Sequence, residues 1–305
     1  MNVLSLFDGM SCGQLALQHA EINYDRYFAS EIDKYAIKVT MTNFPNTIQL
    51  GDVTKIDAQE LPKIDLILAG SPCQGFSFAG RGLAFNDPHS KLFFEFIRIL
   101  RACKPKWFLL ENVVMKKEYE NIITDFLGVK PVMINSNLVS AQNRKRLYWT
   151  NIPDIIQPED RGVVWGDVRE RGVEWGSVYY SKKALEWIKY HGCRYNKQLK
   201  VHQDNEKFCM LEASGYKKYS SQRFFGIIDY PGRVVFIPAP GKYLDVYKQL
   251  EEGFHYRYLT PRECERLQTV PDDYTSYVSN TQRYKMLGNG WTVYVIAHIL
   301  RFIPL

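Results

Sequence analysis

The chain has 305 residues, of which 46% are hydrophobic, so it can bury a sizeable core in one large domain or in a large and a small one. It contains no apolar run near the ~18 residues that a membrane span needs, and its start, MNVLSLFDG, lacks the features of a signal peptide. None of the six cysteines belongs to a C-x-x-C pair, which argues against a zinc site or a disulfide framework and favours a reducing, cytoplasmic setting.

The net charge of +6 is unevenly distributed along the chain. Between Ser181 and Tyr258 there are 14 Lys and Arg against 8 Asp and Glu, together with nine of the 20 tyrosines. Basic residues interleaved with aromatic ones are typical of a surface that binds a polyanion, most simply nucleic acid. A few surplus lysines also occur on ordinary solvated faces, so charge alone leaves both interpretations open.

Strand and helix patterns alternate along the first 150 residues. Strands are predicted for NVLSLF, DRYFASE, TIQLGD, IDLILAG, KWFLLEN and LYWT. Helices are predicted for GQLALQHA, IDKYAIKVTMTNF and SKLFFEFIRILRACK, the last with Ser90 as its N-cap. This alternation indicates an α/β fold with a parallel sheet covered on both faces, in which ligands bind outside the carboxyl ends of the strands.

The pattern changes after residue 154, which divides the chain into three predicted parts. Residues 1–154 form the catalytic and cofactor-binding domain, residues 155–256 a smaller, irregular domain rich in Gly, Tyr and Lys, and residues 257–305 return to the first domain. In the last part Thr260, Pro261 and Glu263 predict a helix start with a capping box. The segment WTVYVIAHILRF predicts a final amphipathic helix.

Glycines and carboxylates follow three successive predicted strands. The segment FDGMSCG follows the first strand, Glu31 the second and Asp52 the third. The glycine loop has neither G-x-G-x-x-G nor a Walker lysine, which disfavours a dinucleotide or a triphosphate. An acid at the second strand end accepts hydrogen bonds from ribose hydroxyls, although either acid alone is more simply a helix cap or turn residue. Their shared position indicates a nucleoside bound without a phosphate-cradling loop, which suggests S-adenosylmethionine.

Two reactive side chains follow the next two strands, Cys73 in GSPCQGFSFAG and Glu111 after WFLL. A lone cysteine is often a small, buried and inert thiol. If both strands belong to one sheet, however, the two groups open onto one cleft, and a thiolate with a nearby carboxylic acid suits addition to an electron-poor ring. Arg144 and Arg146, alternating before LYWT, place two guanidiniums on one side, where they could hold Glu111, a base carbonyl or a phosphate.

These motifs together resemble the C5-cytosine DNA methyltransferase family. FDGMSCG, ASEID, the Gly-Asp pair at 51–52, SPCQGFSFAG, ENV, QNRKR, LTPRECERLQ and GNGW occur in that family's order, from residue 3 to about 300. The run SKLFFEFIRIL is closest to the de novo type of animals, whereas GSPCQGFSFAG and LTPREC look more like the bacterial and phage enzymes. Because Met1 directly precedes the first strand, we expect a compact prokaryotic or phage enzyme, monomeric on double-stranded DNA.

The resemblance implies a Rossmann-like, S-adenosylmethionine-dependent methyltransferase sheet and a covalent mechanism. Cys73, preceded by Pro72, attacks C6 of a cytosine that has flipped out of the duplex. Glu111 protonates or hydrogen-bonds N3, while Arg144 and Arg146 orient Glu111 and the base carbonyl. C5 then takes the methyl group, and loss of the C5 proton expels the thiol.

The resemblance also assigns roles to two less regular segments. The loop from Gln74 to about Pro88 is expected to close over the flipped base. The smaller domain matches the target-recognition domain by position, with Tyr216 to Arg223 expected to form part of the base-reading loop.

The cofactor contacts implied by the resemblance span the whole chain. Phe7 is expected on the adenine, Glu31 on the ribose, Asp52 on the adenine amino group, and Asn289 and Trp291 along the methionine part. Ile32 stands where bacterial members often have Trp, so that face of the adenine loses an aromatic partner. The other residues expected to contact S-adenosylmethionine are Asp8, Gly9, Gly13, Val53 and Ser71, and no metal ligand is expected.

Three alternatives differ in the motif around the thiol. A tRNA cytosine-5 methyltransferase typically carries Pro-Pro-Cys and Cys-Phe-Thr with almost no recognition domain, whereas this chain has Ser71-Pro72-Cys73 and roughly 100 residues in that region. Methylation of an exocyclic amino group uses (Asp/Asn/Ser)-Pro-Pro-(Tyr/Phe) at the same strand end and needs no thiol. A non-catalytic DNA-binding module could lose Cys73, Glu111 or the arginines, all of which are present.

Overall fold

The structure is a computed structural model that describes residues 1–71, 88–173, 200–201, 204–208, 210–211, 225–229, 255–257 and 259–304. Several predicted features lie outside the described residues: Pro72, Cys73, the loop from Gln74 onward as far as residue 87, and the segment from Tyr216 to Arg223. Most of the basic segment also lies outside them.

A seven-stranded sheet lies at the centre of the described chain. Its strands are β1 (Asn2–Leu6), β2 (Arg26–Ser30), β3 (Ile48–Gln49), β4 (Leu66–Gly70), β5 (Trp107–Val113), β6 (Val132–Asn135) and β7 (Lys145–Thr150). They are arranged in the order β3-β2-β1-β4-β5-β7-β6. The first five strands are parallel, and β7 is antiparallel to both of its neighbours. The predicted α/β fold with a largely parallel sheet is confirmed.

The antiparallel direction of β7 follows from the length of the link before it. Only residues 136–144 separate β6 from β7, and a parallel crossover needs a dozen or more residues. The chain therefore turns back beside β6, and this reversal places Arg146 of β7 next to β5. Strand β6 was not among the strands predicted from the sequence.

The helices pack on both faces of the sheet. They are α1 (Cys12–His19), α2 (Lys34–Asn43), α3 (Pro88–Cys103), α4 (Lys117–Leu127), α5 (Trp165–Val168), α6 (Pro261–Leu267), α7 (Asn280–Asn289) and α8 (Val293–Leu300). The prediction that Ser90 caps α3 is wrong, because the helix already begins at Pro88. Proline has a fixed φ that suits the first helical turn, so the start lies two residues earlier than the cap signal indicated.

Alternating side chains of the central strands divide the core into two layers. In β4, Leu66 and Leu68 pack with the layer that contains α1 and α8, whereas Ile67 and Ala69 pack with the layer that contains α3. A strand buried on both faces is apolar throughout rather than alternately polar, which explains the continuous run IDLILAG. No helix in the described parts of the chain combines the length and apolarity needed to cross a bilayer.

The C-terminal part of the chain contains α6, α7 and α8, and α8 packs against α1. The capping box of α6 is present: the Thr260 hydroxyl accepts from the Glu263 N–H, and the Glu263 carboxylate accepts from the Thr260 N–H. Between the two parts, the described residues include a small sheet of β8 (Lys200–Val201), β9 (Phe225–Asp229) and β10 (His255–Arg257), in the order β10-β9-β8. The boundaries of a separate recognition domain stay a prediction.

Candidate active site

The carboxyl ends of β4 and β5 lie side by side, as the sequence required for a shared cleft. Gly70, the last residue of β4, pairs with Glu111 of β5. Cys73 follows Gly70 by three positions in the sequence, and its side chain lies outside the described residues. Glu111 is therefore at the strand end beside the one from which the Pro-Cys segment leaves.

Arg146 reaches Glu111 across the antiparallel pair of β5 and β7. Arg146 is opposite Val113, two residues beyond Glu111 on the same face, and long side chains at such diagonal positions can meet. The Arg146 Nε lies 2.9 Å from the Glu111 Oε1, and both side chains are buried. Removing one partner of a buried ion pair leaves the other charge buried without compensation. Each of these two side chains therefore stabilises the charged form of the other.

Arg144 has a different role from Arg146. Its guanidinium donates to the carbonyl of Leu211 at 3.1 Å, and to those of Gly288 and Gly290 at 3.2 and 3.0 Å. The two predicted arginines therefore have different partners: Arg146 pairs with the Glu111 carboxylate, whereas Arg144 joins Leu211 to the GNGW turn. Whether Arg144 also orients a base carbonyl stays a prediction.

The GNGW turn covers the end of β4. A Cβ on Gly70 would lie 2.8 Å from the Trp291 indole nitrogen, so the close approach of Trp291 requires glycine there. Trp291 is buried, whereas Asn289, the last residue of α7, is exposed. Beside Gly70, the buried Ser71 hydroxyl accepts from the Asn112 amide at 3.2 Å. Residues predicted to contact the methionine part of the cofactor therefore flank the strand end that leads to Cys73.

The turn after β1 is unusual in its backbone. Phe7, Gly9 and Ser11 all have left-handed φ angles, of 59°, 61° and 64°. Such angles cost non-glycine residues energy, and they persist where surrounding contacts hold them. One of these contacts is the Gly9 N–H, which donates to the Glu31 Oε2 at 2.8 Å. Among the described residues, nothing lies within 4 Å of a Cβ built on Gly9, so the turn is open on that side.

Asp8 is buried beneath this turn. The Tyr27 hydroxyl donates to its Oδ1 at 2.8 Å, and its Oδ2 has no hydrogen-bond partner among the described residues. Burial raises the pKa of the Asp8 carboxyl from 3.8 to about 6. Gly13 makes the contact with Tyr27 possible, because a Cβ on Gly13 would lie 2.4 Å from the Tyr27 hydroxyl oxygen.

The carboxylates after β2 and β3 are both tied to backbone N–H groups. In addition to Gly9, Glu31 accepts from the N–H groups of Ile32 and Asp33, each at 2.8 Å. Asp52 accepts from the Thr54 N–H and hydroxyl, and these hydrogen bonds lower the pKa of Asp52. Asp52 is thus a cap residue, as the simpler interpretation held, and it also lies at the edge predicted for the adenine.

The apolar residues predicted around the adenine have different exposures. Phe7 is half-buried and packs against the α3 layer of the core, and Val53 is buried in that layer. Ile32 is 77% exposed, more than any other large hydrophobic side chain among the described residues.

Comparison with known proteins identifies the family. The sequence model of the C-5 cytosine-specific DNA methylases matches residues 1–304. The chain belongs to this family. The type II methyltransferase M.NlaX of Neisseria lactamica is 30% identical, over 97% of this chain and 94% of that protein. The orphan methyltransferase M.SPRI of Bacillus phage SPR is 35% identical over 52% of this chain and 40% of its own length. The chain is thus a DNA (cytosine-5-)-methyltransferase of the type shared by bacteria and phages.

Solved structures support the fold of this methyltransferase. The Entamoeba histolytica methyltransferase EhMeth superposes with a TM-score of 0.80 at 20% identity, over 99% of this chain and 97% of that one. At that identity the similarity concerns the fold alone. The predicted Rossmann-like methyltransferase sheet is confirmed.

Several residues that hold the site together were missed by sequence reasoning. Gln268 donates to the carbonyls of Leu287 and Gly290, and Gln142 donates to Leu267 and accepts from the Leu211 N–H. Gln142 belongs to QNRKR, so its motif was noticed, but its partners come from distant parts of the chain.

Within the described residues, no group of three His, Cys, Asp or Glu side chains is arranged to hold a metal ion.

Proposed function

We propose that this methyltransferase acts through a covalent bond between the Cys73 sulfur and C6 of a cytosine flipped out of double-stranded DNA. The observation that carries the proposal is the buried Glu111–Arg146 ion pair, on the strand end adjacent to the one that leads to Cys73. A carboxyl group held by one guanidinium, together with the thiol that follows the neighbouring strand in the sequence, has the composition needed to activate a pyrimidine ring.

The proposed reaction proceeds by addition of the thiolate to the ring, methyl transfer and elimination. The Cys73 thiolate adds to C6 and breaks the C5–C6 double bond, while Glu111 gives a proton or a hydrogen bond to N3 so that charge does not accumulate in the ring. C5 gains the methyl group from S-adenosylmethionine, which would leave as S-adenosylhomocysteine. A base then removes the C5 proton, N3 returns any proton it took to Glu111, and the Cys73 thiolate leaves as the C5–C6 double bond re-forms. Arg146 keeps Glu111 in place throughout. C5 and C6 are inaccessible in a stacked duplex, which is why the base must flip.

The edge formed by the ends of β1, β2 and β3 fits S-adenosylmethionine, which supplies an electrophilic methyl group when it is bound. A carboxylate has about four lone-pair sites, and three N–H groups occupy three of those of Glu31. Among the described residues, the fourth site, on Oε2, has no donor and can accept from a ribose hydroxyl. Gly9 leaves open space at the turn, and Ile32 offers an exposed apolar surface to the adenine.

The remaining assignments follow from position in the chain. Residues 155–256, which include most of the basic segment between Ser181 and Tyr258, are proposed as the target-recognition domain of a monomer on DNA. The relatives named above come from a bacterium and a bacterial phage, which supports a prokaryotic or phage enzyme acting on DNA in the cytoplasm. Phe7, Asp52, Val53, Asn289 and Trp291 are proposed to complete the cofactor site.

The experiment that tests the proposal is base-resolution sequencing of 5-methylcytosine in unmodified DNA treated with the purified protein and S-adenosylmethionine. Methylation confined to one short DNA sequence supports the proposal and identifies that sequence as the recognition site. Methylation in many contexts supports the chemistry and assigns low specificity. Absence of methylation on DNA, with methylation of tRNA, would overturn the proposed substrate.

Substitution of the thiol tests the covalent step. Cys73→Ser is expected to abolish turnover, because a serine hydroxyl is a far weaker nucleophile at neutral pH, and to leave S-adenosylmethionine binding unchanged in calorimetry. Cys103→Ser is the matched control, since Cys103 ends α3 just before β5 begins, at the amino edge of the sheet. Turnover by the Cys73→Ser protein would contradict the mechanism.

A further inference from the structure

A short segment of the proposed recognition domain is bound tightly to the catalytic domain. This anchor segment comprises residues 204–208 and 210–211. The Phe208 N–H donates to the Ala141 carbonyl at 2.5 Å, and the Phe208 carbonyl accepts from the Asn143 N–H at 2.8 Å. Phe208 is fully buried, with its ring 4.8 Å from that of Trp165.

The other face of the anchor segment is held by the segment that begins at α5. The Trp165 N–H donates to the Glu206 carbonyl at 2.8 Å, and the Gly166 N–H donates to the Asp204 carbonyl at 2.7 Å. Arg169 also pairs with the Asp204 carboxylate at 2.9 Å. The anchor segment is therefore enclosed between two parts of the chain, and its last residues are directed to the catalytic side.

Those last residues contact the QNRKR segment. The Leu211 N–H donates to the Gln142 side-chain oxygen at 2.8 Å, and the Leu211 carbonyl accepts from Arg144 at 3.1 Å. The residue before Leu211 contacts the same segment: the Met210 sulfur lies 3.3 Å from the Arg146 Nη1. Arg146 is the residue that pairs with Glu111, so one side chain of the anchor segment touches the group that holds the proposed acid.

Within the described parts of the chain, three acceptors surround the Arg146 guanidinium. Its Nε faces Glu111 at 2.9 Å, and its Nη1 faces both the Lys145 carbonyl at 2.9 Å and the Met210 sulfur at 3.3 Å. A guanidinium is a rigid planar fork, so fixing Nη1 also fixes the direction of Nε. A thioether sulfur is a weak acceptor, yet next to a buried cation it replaces part of the lost hydration.

We propose that Met210 is a positioning residue, whose sulfur holds the Arg146 guanidinium in the orientation that pairs with Glu111. The recognition domain thereby acts on the reacting base through the contact between Met210 and Arg146. This inference rests on the proposed function, because it assigns Glu111 to the cytosine ring. The candidate base-reading segment starts at Tyr216, five positions after Leu211 in the sequence, so the anchor segment links it covalently to the site.

Two substitutions separate a hydrogen-bonding role of Met210 from a packing role. Met210→Leu keeps an apolar side chain of similar volume but has no acceptor for Nη1. Met210→Gln keeps the length and supplies an amide oxygen as acceptor. Met133→Leu is the matched control, because Met133 lies on β6 and is 48% exposed. The full-length proteins are compared by single-turnover methyl transfer to duplex DNA, by their affinities for DNA and for S-adenosylhomocysteine, and by thermal unfolding.

We expect Met210→Leu to reduce the single-turnover rate by about three- to tenfold, the effect of one modest hydrogen bond, with both affinities and the unfolding temperature unchanged. Met210→Gln and Met133→Leu are expected to stay within about twofold of the wild-type rate. A packing role gives the opposite order, since leucine would then be tolerated and glutamine would not. That order, or equal rates in all variants, overturns the inference. Failure of the wild-type protein to methylate DNA would instead overturn the proposed function.

Discussion

Asp8 lies under the turn that is proposed to meet the cofactor, and its environment favours the neutral carboxyl group. It is 8% exposed, and burial raises its pKa from 3.8 to about 6. Because the folded-state pKa lies above the unfolded value, protonated Asp8 stabilises the fold. This contribution is fully present below about pH 3.8 and is lost as the pH rises through about 6. The turn is therefore more stable in mild acid than at neutral pH.

Asp8→Asn removes this titration while keeping an oxygen for the Tyr27 hydroxyl. From pH 5 to pH 8 we expect the unfolding free energy of the wild-type protein to fall by about 1.4 kcal/mol more than that of the variant. Urea unfolding at both pH values, without cofactor, measures the difference. Parallel pH dependence of the two proteins would show that the Asp8 carboxyl does not titrate in this range.

At the scale of elements, α6 connects the proposed catalytic domain with the first part of the proposed recognition domain. The Thr260 hydroxyl caps the helix and also donates to the Glu170 carboxylate. Arg262 pairs with Glu170 at 2.7 Å, and the Glu263 carboxylate accepts from the Glu170 N–H at 2.9 Å. The first turn of α6 therefore holds one residue of the incoming segment by three contacts.

Thr260→Ala tests how much this helix start contributes. Loss of an N-cap hydroxyl costs about 1 to 2 kcal/mol, and we expect the unfolding free energy in urea to fall by that amount. Ser279, the N-cap position of α7, makes no side-chain cap hydrogen bond to the described residues. Ser279→Ala is therefore expected to change stability by less than about 0.5 kcal/mol. Equal losses in the two variants would show that the capping box does not stabilise α6.

The sequence predicted elements well where the signals are local. Thr260 with Pro261 and Glu263 predicted the start of α6, and IDLILAG predicted β4. The prediction from Ser90 was wrong because a serine two residues after a proline offers two possible helix starts. In the structure the helix begins at the proline, Pro88. The direction of β7 was not predicted, since it depends on the length of a link after β6, a strand that was itself missed.

The site was predictable in its composition but not in its connections. Motif order indicated that Glu111, Arg144 and Arg146 belong together. That Arg144 holds the carbonyls of Gly288 and Gly290, 144 and 146 positions away, could not be predicted. Main-chain carbonyls carry no sequence signal, so any residue type at those positions would look the same to an analysis of motifs.

At the scale of the whole molecule, the basic excess between Ser181 and Tyr258 predicts how DNA binding responds to salt. Lys and Arg that contact phosphates displace counterions, so the dissociation constant is expected to rise steeply between 50 and 200 mM salt. Lys217→Gln with Lys218→Gln should reduce the slope of log affinity against log salt by up to about 2.

Fluorescence anisotropy with a labelled duplex at several salt concentrations measures this slope. Lys104→Gln with Lys106→Gln is the control, because these lysines precede β5 at the amino edge of the sheet. An equal loss of slope in the control variant and in the Lys217 and Lys218 variant would contradict the prediction that the basic segment contacts the DNA phosphates.

The packing of α8 on α1 has a consequence for biosynthesis. The Arg301 guanidinium donates to the His19 carbonyl, 282 positions earlier in the chain, and the Tyr274 hydroxyl donates to the Met10 carbonyl, 264 positions earlier. At ordinary elongation rates, the synthesis of the residues between these partners takes roughly 15 to 60 s, so α1 is made long before the helix that packs on it. Because Arg144 also bonds the carbonyls of Gly288 and Gly290, the site of a nascent chain stays incomplete until the residues of the GNGW turn have been added.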